Sequence, residues 1–394
     1  MDKPVADILA NMDLYAEDQR EHLLDALAVA REESPVLRTE ADDGYYVVTR
    51  YEDVRTVCAH PEIFSSVQPG LRGVPVRLIP LDVDPPDHRL FREFLNRYFS
   101  RSFLLRYEEE IRRIAREAIA AFIDTGEVEF VHGFSVPFSA GSLARIVFAT
   151  DNADLVSRGV AAVHRAALES TPDSFQAVAV LAVEAMAEVE NSPAGREDVL
   201  AALTTATVDG RPLSTEERLG IVTTLLLGGL DTTRGMIVNI GYHLATRDDV
   251  EPILRAPNWW RGELDEFLRF EPTVSFMART VTRDTELAGT PLKVGDRIAV
   301  HFYAANRDPQ RFDRPDELVF GRATNPHLAF GSGIHHCLGR GFARIQLAIA
   351  FEELLARATN FHLKPGADIP RRAGVSLNSP AELHLTFDRR GSHR

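Results

Sequence analysis

Cysteine is nearly absent from this sequence. The 394 residues include two cysteines, Cys58 and Cys337, which excludes a disulfide framework and is typical of a reducing compartment. The first residues, MDKPVADILANMDLYAEDQ, have neither a basic start nor a long apolar run. They therefore resemble neither a signal peptide nor a membrane anchor, and we expect a cytoplasmic protein that does not associate with a membrane.

Lysine is also scarce, and the chain carries a net charge of −14. This acidity argues against nucleic acid as the main partner. No Pro/Gly/Ser-rich linker, internal repeat or low-complexity tract divides the sequence, while 45% of its residues are hydrophobic. We therefore expect one domain over residues 1–394, with a large core, and a monomer.

Helical patterns dominate the chain. They cover 16–32, 103–124 and segments near 153–169, 174–190 and 196–206. Strand patterns are fewer and cluster in 36–50, around the turn Asp43-Gly44, in 280–300 and in 383–387. The predicted fold is mainly α with a smaller β-rich part.

The longest periodic segment runs from Ser214 to Ala245. Ser214 and Glu217 have the spacing of a capping box, in which each residue satisfies a donor of the other at the start of a helix. The middle of the segment, IVTTLLLGGLD, is apolar on almost every face. We predict one long helix that crosses the centre of the molecule.

The second cysteine lies in PHLAFGSGIHHCLGRGFAR, residues 326–344, just before a helical pattern. A helix start lowers the pKa of a thiol and favours the thiolate, which is the form that binds metals. The glycines would let the loop approach a flat ligand. Two other interpretations remain: a small core residue, as we expect for Cys58 beside Val54 and Val57, and a zinc site with His335 and His336.

Within this segment, six residues form the pattern F-G-x-G-x-H-x-C-x-G: Phe330, Gly331, Gly333, His335, Cys337 and Gly339. The pattern resembles the haem-binding loop of the cytochrome P450 family. The resemblance implies the cytochrome P450 fold, with haem b (iron protoporphyrin IX) between the long central helix and the helix after the cysteine. It also implies Cys337 as the thiolate ligand of the iron and Phe330, Gly331 and Gly339 as residues beside the haem.

Two adjacent glycines lie within the predicted central helix, in Gly228-Gly229-Leu230-Asp231-Thr232. Such glycines cost about 1 kcal/mol each relative to alanine, and close helix packing is one explanation for them. The run is similar to the oxygen-activation segment of the same family and closely resembles that of bacterial camphor hydroxylases. The resemblance implies that Thr232 steadies dioxygen and that Asp231 relays protons towards it. The glycines would leave room over the haem.

A pair with a structural role follows in GELDEFLRFEP, where Glu266 and Arg269 share one helix face. The pair resembles the E-x-x-R motif of the family, with Arg322 or His327 as a possible third partner. Upstream, Asp84 is a plausible N-cap for a helix that carries His88 and Arg92 on one face. The resemblance assigns four residues to the haem propionates: His88, Arg92, Arg279 and His335. Without that pattern, each of these would be interpreted as a surface charge.

The resemblance implies a monooxygenase that uses O2 and inserts one oxygen atom into a C–H bond of the substrate, or dealkylates at O or N. No flavin or nicotinamide fingerprint is present, so we expect a ferredoxin and its reductase as electron donors. An acidic ferredoxin requires a basic patch, for which the candidates are Arg89, Arg92, Arg97, Arg101, Arg340 and Arg344. A peroxygenase that uses hydrogen peroxide and a haem-binding sensor without turnover are the alternatives.

The substrate pocket is expected within residues 66–80, 224–228, 274–277 and 378–379. The individual lining candidates are Leu227, Val274, Ser275, Phe276, Met277 and Asn378. Because these side chains are mainly apolar, we expect a small to medium apolar or aromatic substrate. Arg72 or Arg77 is a candidate for binding a substrate carboxylate, although loop arginines usually face solvent.

Overall fold

The computed structural model describes residues 3–190, 197–367, 369 and 378–391. Its helices are α1 (Lys3–Ala10), α2 (Leu23–Glu33), α3 (Tyr51–Ala59), α4 (Asp87–Asn96), α5 (Arg101–Leu104), α6 (Glu108–Ala120), α7 (Val136–Leu143), α8 (Ala153–Glu169), α9 (Pro172–Glu190), α10 (Val199–Thr205), α11 (Thr215–Leu230), α12 (Thr232–Thr246), α13 (Val250–Arg255), α14 (Glu263–Phe270), α15 (Phe302–Ala305) and α16 (Arg340–Arg357). A helix lies within each predicted helical segment, but the prediction for 16–32 was wrong at 16–22, since α2 begins at Leu23, and 103–124 is divided between α5 and α6, which ends at Ala120. Residue 196 lies outside the described part of the chain.

The strands are β1 (Val36–Thr39), β2 (Tyr45–Val48), β3 (Phe64–Ser65), β4 (Glu127–Glu129), β5 (Thr207–Val208), β6 (Arg211–Pro212), β7 (Phe276–Val281), β8 (Thr285–Leu287), β9 (Thr290–Leu292), β10 (Arg297–His301), β11 (Ala358–Leu363) and β12 (His384–Arg389). Five of them form a sheet in the order β1-β2-β10-β7-β3, in which β2 and β10 are parallel and the other pairs antiparallel. A second sheet has the order β11-β12-β4. The prediction of a mainly α fold with a smaller β part is confirmed.

The central helix begins as predicted. Ser214 N–H donates to the Glu217 carboxylate at 2.8 Å, and Glu217 N–H donates to the Ser214 hydroxyl at 3.1 Å, which completes the capping box. By length and composition Thr215–Thr246 is apolar enough to span a membrane, but 72% of its most apolar window is buried inside the molecule. Such burial is what a core helix shows, and the segment packs within the largest hydrophobic cluster.

The prediction of one uninterrupted helix was wrong at Asp231, where α11 ends and α12 begins. Thr232 donates its hydroxyl hydrogen to the carbonyl oxygen of Gly228 at 2.8 Å. A side chain that binds the carbonyl four residues earlier competes with the backbone hydrogen bond of the helix. The interruption therefore falls within the segment that carries the predicted oxygen-activation residues.

The predicted N-cap of α4 was also wrong. The helix begins at Asp87 with Pro86 as its N-cap residue, whereas the Asp84 carboxylate accepts hydrogen bonds from Ser66 N–H at 2.9 Å and Ser65 Oγ at 2.5 Å. Asp84 thus ties the end of β3 to the chain before α4 instead of capping the helix.

Candidate active site

The loop before α16 places Cys337 at one wall of an internal cavity. The Cys337 N–H donates to the carbonyl oxygen of Phe330 at 2.8 Å. Gly331 and Gly333 have φ values of 71° and 68°, a region that favours glycine. A Cβ on Gly333 would lie 2.0 Å from the carbonyl oxygen of Cys58. The close approach of the loop to α3 and its backbone conformation therefore require these two glycines.

Burial raises the pKa of the Cys337 thiol. The backbone N–H groups of Gly339 and Arg340 and the charges of Arg92 and Arg340 lower the pKa, but they do not outweigh the desolvation. The prediction that the helix start lowers the thiol pKa was therefore wrong in its net direction, because it ignored burial. Coordination to a metal ion deprotonates a thiol outright, and this site needs such a ligand to hold a thiolate at neutral pH.

Four nitrogen-bearing side chains from three segments converge beside Cys337. His88 lies on α4 and its ring is 4.4 Å from that of His335, which is two residues before the cysteine. Arg92 follows one turn later on α4 and donates to the carbonyl oxygen of His336 at 3.0 Å. Arg279, on β7, is 4% exposed and lines the same cavity as Arg92 and His335.

These four groups are desolvated, and two of them have a buried ring nitrogen without a hydrogen-bond partner. Burial lowers the pKa of His88 to about 4 and that of His335 to about 2, and it also lowers the pKa of Arg92 and Arg279. Among the described residues, the Nε2 atoms of His88 and His335 have no hydrogen-bond partner. Buried donors and cations are costly without a partner, so a ligand with two carboxylates fits this cluster. Haem, which the resemblance implies, carries two propionates.

The cavity has a volume of about 430 Å³ and extends from the cysteine loop to α11 and α8. It brings together residues that the sequence assigned separately to cofactor and substrate. Those that line it are Arg92, Leu227, Gly228, Gly229, Thr232, Val274, Phe276, Met277, Arg279, Phe330, Gly331, His335, Cys337 and Gly339.

Ser275 and Asn378 were predicted to line the substrate pocket, but the structure places them behind it. Ser275 is fully buried, and its neighbours Val274 and Phe276 line the cavity instead. Asn378 donates from Nδ2 to the Glu271 carboxylate at 3.0 Å, and its carbonyl oxygen accepts from Asn239 at 2.9 Å. Both residues therefore support the wall of the cavity from outside.

Sequence reasoning missed the wall formed by the N-terminal segment and the turn between α8 and α9. Tyr15, Val163, Ala166, Ser170 and Phe175 all line the cavity. Apolar residues on an amphipathic helix look alike whether they face a core or a cavity. No signal in the sequence distinguishes these positions from ordinary core positions.

The two adjacent glycines of α11 have different surroundings. A Cβ on Gly229 would lie 2.6 Å from Cδ1 of Leu143 on α7, whereas a Cβ on Gly228 would meet nothing within 4 Å. Gly229 thus allows close packing of two helices, and Gly228 leaves open space at the cavity.

Asp231 is held at the junction of α11 and α12 by two cationic or donor groups. It forms an ion pair with Arg234, and its carboxylate lies 3.3 Å from Nδ1 of His164 on α8. Burial raises the pKa of Asp231, but the hydrogen bond from His164 and the charge and hydrogen bond of Arg234 outweigh it, so the pKa is below its usual value. Asp231 is thus an ionised carboxylate at neutral pH, next to Thr232 at the cavity.

Glu266 and Arg269 form a buried ion pair, with two bonds of 2.8 Å between the carboxylate and the guanidinium. Arg322 adds a bond of 2.9 Å to the same carboxylate, and it is the third partner. His327 instead lies 3.2 Å from Asp265. Arg269 also donates to three backbone carbonyls, those of Asn306, Pro315 and Glu317, so the pair fixes the chain that leads to the cysteine loop.

The two arginines considered for a substrate carboxylate have protein partners. Arg72 donates to both carboxylate oxygens of Asp42 at 3.1 Å, and Arg77 pairs with Asp82 at 3.0 Å. For the zinc alternative, the described residues contain no group of three or more His, Cys, Asp or Glu side chains that could hold a metal ion.

Comparison with known proteins supports the family resemblance found in the sequence. The family model described as Cytochrome P450 matches residues 263–384. The chain is 28% identical to a steroid C26-monooxygenase of Mycolicibacterium smegmatis over 91% of this chain and 90% of that protein. It is 30% identical to nocardicin C N-oxygenase of Nocardia uniformis, over 91% and 94%. The structure of cytochrome P450 CYP109Q5 from Chondromyces apiculatus superimposes with a TM-score of 0.84 at 26% identity, covering 97% of this chain and 99% of that one.

Proposed function

Because this chain belongs to the cytochrome P450 family of haem-containing monooxygenases, we propose that it hydroxylates or O-dealkylates a small to medium apolar or aromatic substrate, with O2 and with electrons from a ferredoxin. The observation that carries the proposal is the convergence of Cys337, Arg92, Arg279 and His335 on one cavity with mainly apolar walls, with His88 packed against the ring of His335. We further propose haem b as the cofactor and a cytoplasmic, monomeric protein with one domain over residues 1–394.

In this proposal the cofactor lies between α11 and α16. Cys337 Sγ is the iron ligand, while His88, Arg92, Arg279 and His335 bind the two propionates. Phe330, Gly331 and Gly339 line the cavity beside the cysteine. When bound, the haem supplies the reductive activation of dioxygen. Hydrogen bonds from the histidine and arginine side chains to the two propionates would fix the orientation of the haem in the cavity.

Asp231 and Thr232 handle protons. Thr232 lines the cavity, and its hydroxyl already donates to Gly228, so the oxygen of that hydroxyl can accept a hydrogen bond from the cavity side. Asp231 is an ionised carboxylate next to it and contacts His164, whose side chain is 34% exposed. This arrangement connects solvent to the cavity through groups that accept and donate protons.

Electrons enter from the side of the cysteine. Of the six arginines expected to form a basic patch, four are exposed: Arg89, Arg97, Arg101 and Arg340. Arg92 is bound to the cysteine loop, and Arg344 pairs with Asp265. Arg97, Arg101 and Arg340, together with Arg89, which also pairs with Glu93 at 3.4 Å, give an acidic ferredoxin a complementary surface. The ferredoxin reductase supplies electrons to the ferredoxin.

The carbon monoxide difference spectrum of the reduced protein tests the proposal. Thiolate ligation gives the long-wavelength band, and we expect Cys337→Ser to abolish it. Cys58, which is buried on α3 against the cysteine loop, provides the matched control. We expect the Cys58→Ala variant to keep the band. A wild-type protein without this band, or a Cys337→Ser variant that retains it, would contradict the haem-thiolate assignment.

Turnover separates the two alternatives. Product formed with O2, ferredoxin, reductase and a reduced nicotinamide as electron donor supports the monooxygenase, whereas product formed with hydrogen peroxide but not with O2 and these electron donors would identify a peroxygenase. The peroxygenase alternative needs a substrate carboxylate, which Arg72 or Arg77 would have to bind. Both arginines are already paired with carboxylates of the protein, and this favours the monooxygenase. Haem binding without turnover of a broad substrate panel would identify a sensor.

A further inference from the structure

The cavity wall includes a pair of hydroxyl-bearing residues far from the cysteine loop, Tyr15 and Ser170, whose side chains interact. Tyr15 follows α1, and Ser170 is the residue that ends α8; both line the cavity. The Tyr15 ring meets the edge of Phe276 at 5.6 Å, and the guanidinium of Arg72 lies 4.2 Å above it. This part of the cavity is thus bounded by the N-terminal segment, the loop 66–80 and the α8–α9 turn, not by the cysteine loop.

The phenol ring of Tyr15 is positioned by groups outside the cavity. Arg72, which covers one face of the ring, is itself held by Asp42. The backbone N–H of Tyr15 donates to the Asp13 carboxylate at 2.8 Å. At its tip, the Tyr15 hydroxyl interacts with the side chain of Ser170, and burial raises the pKa of the phenol. A neutral phenol and a neutral serine hydroxyl therefore lie side by side.

Two other hydroxyls of the cavity wall are used within their own helix. Thr224 donates to the carbonyl oxygen of Gly220 at 2.9 Å, and Thr232 donates to that of Gly228 at 2.8 Å. Around Ser170 the wall of α8 is apolar, with Val163 and Ala166. A polar group of a bound molecule would therefore be stabilised by a hydrogen bond if it lay at Tyr15 and Ser170. If it lay against the apolar wall of α8 instead, it would be desolvated without a hydrogen-bond partner.

We propose that Tyr15 and Ser170 recognise one neutral oxygen, a hydroxyl or a carbonyl, on a substrate that is otherwise apolar. The inference rests on the proposed function, since it assigns the oxidised end of the substrate to the cysteine side of the same cavity. A carboxylate fits less well, because both cations near Tyr15 already have partners: Arg72 pairs with Asp42, and Arg297 donates to the Thr280 hydroxyl and to the carbonyl oxygens of Gln68 and Gly70.

Imidazole probes with a chain of variable length test the proposal in the haem-containing protein. The imidazole nitrogen binds the iron, and the chain runs into the cavity. The probes are ω-(imidazol-1-yl)alkan-1-ols and the matching 1-alkylimidazoles, from butyl to dodecyl, titrated by the shift of the haem spectrum. We expect an alcohol of the right length to bind better than its alkyl partner. This affinity ratio should fall about five-fold in Tyr15→Phe and in Ser170→Ala, as expected for one neutral hydrogen bond.

The variants are chosen to keep other contacts. Tyr15→Phe preserves the ring contacts, and Ser170→Ala keeps a Cβ at the same positive φ of 48°. Tyr46→Phe, on β2, is the control and leaves the ratio unchanged. The proposal is overturned if no alcohol binds better than its partner, if both variants keep the wild-type ratio, or if they weaken both probes equally. A wild-type protein that shows no nitrogen-ligand spectrum with any probe would instead contradict the haem site itself.

Discussion

The imidazole Nδ1 of His164 lies 3.3 Å from the carboxylate of Asp231 and connects α8 to the junction of α11 and α12. The Asp231 side chain is 5% exposed, and that of His164 is 34% exposed. His164 therefore lies between a buried acid and the solvent. Arg234 pairs with the other oxygen of the Asp231 carboxylate and keeps the group ionised. The carboxylate can therefore receive a proton that arrives through His164.

Asp231→Asn should separate proton delivery from the other steps. We expect O2-dependent turnover with ferredoxin to fall about 100-fold or more, the usual contribution of a positioned acid or base. Product formation supported by hydrogen peroxide, which brings its own protons, should change little. Asp154→Asn, an exposed carboxylate on α8, is the matched control for both assays. Equal losses with O2 and with peroxide would show that Asp231 has only a structural role.

The pH dependence of stability should reveal His88 in the haem-free protein. Its pKa of about 4 in the folded chain lies below the value of about 6.5 in the unfolded chain. The unfolded state therefore binds more protons between these values, and the free energy of unfolding falls as the pH drops from about 6.5 towards 4. His88→Gln should reduce this fall, as measured by urea unfolding across that range.

Haem should reduce the same pH dependence, because carboxylates beside His88 raise its pKa in the folded protein. His132→Gln, at an exposed position, is the control and should follow the wild-type slope. Identical slopes for His88→Gln and wild-type haem-free protein would show that His88 is not desolvated in the folded state.

Glu266→Gln should destabilise the protein strongly. Arg269 is 0% exposed, and removing the charge of its partner leaves a buried guanidinium without compensation, which costs roughly 3–5 kcal/mol. Glu317→Gln, in the exposed pair with Arg314, is the matched control and should cost under about 1 kcal/mol. Chemical denaturation measures both, and similar losses for the two variants would contradict the central role of the buried pair.

Replacing each glycine of the α11 pair with alanine should give different results. Gly228→Ala adds a methyl group in open space and should stabilise the helix by about 0.5–1 kcal/mol, while it weakens binding of 1-phenylimidazole by filling the cavity. Gly229→Ala gains the same helix propensity but forces Leu143 to move, so its free energy of unfolding should be lower than that of Gly228→Ala. The reverse order in urea unfolding would contradict this assignment.

Much of the fold could be predicted because its signals are local. The capping box of Ser214 and Glu217, the turn at Asp43-Gly44 and the spacing of Glu266 and Arg269 each depend on residues within a few positions of one another. The order of most of the long helices, and of the strands within 36–50, 280–300 and 383–387, followed from such patterns. The error at Asp231 arose because periodicity does not reveal that a threonine hydroxyl competes for a helix carbonyl.

By itself, the sequence determined the helical class, the family resemblance and the position of the candidate iron ligand, since each depends on residues close together in the chain. Only the tertiary structure decided the net direction of the Cys337 pKa, the convergence of His88, Arg92, Arg279 and His335, and the place of Tyr15 and Ser170 in the cavity wall. These properties arise from burial and from contacts between segments far apart in sequence, and desolvation acts on a group only once the whole chain has packed around it.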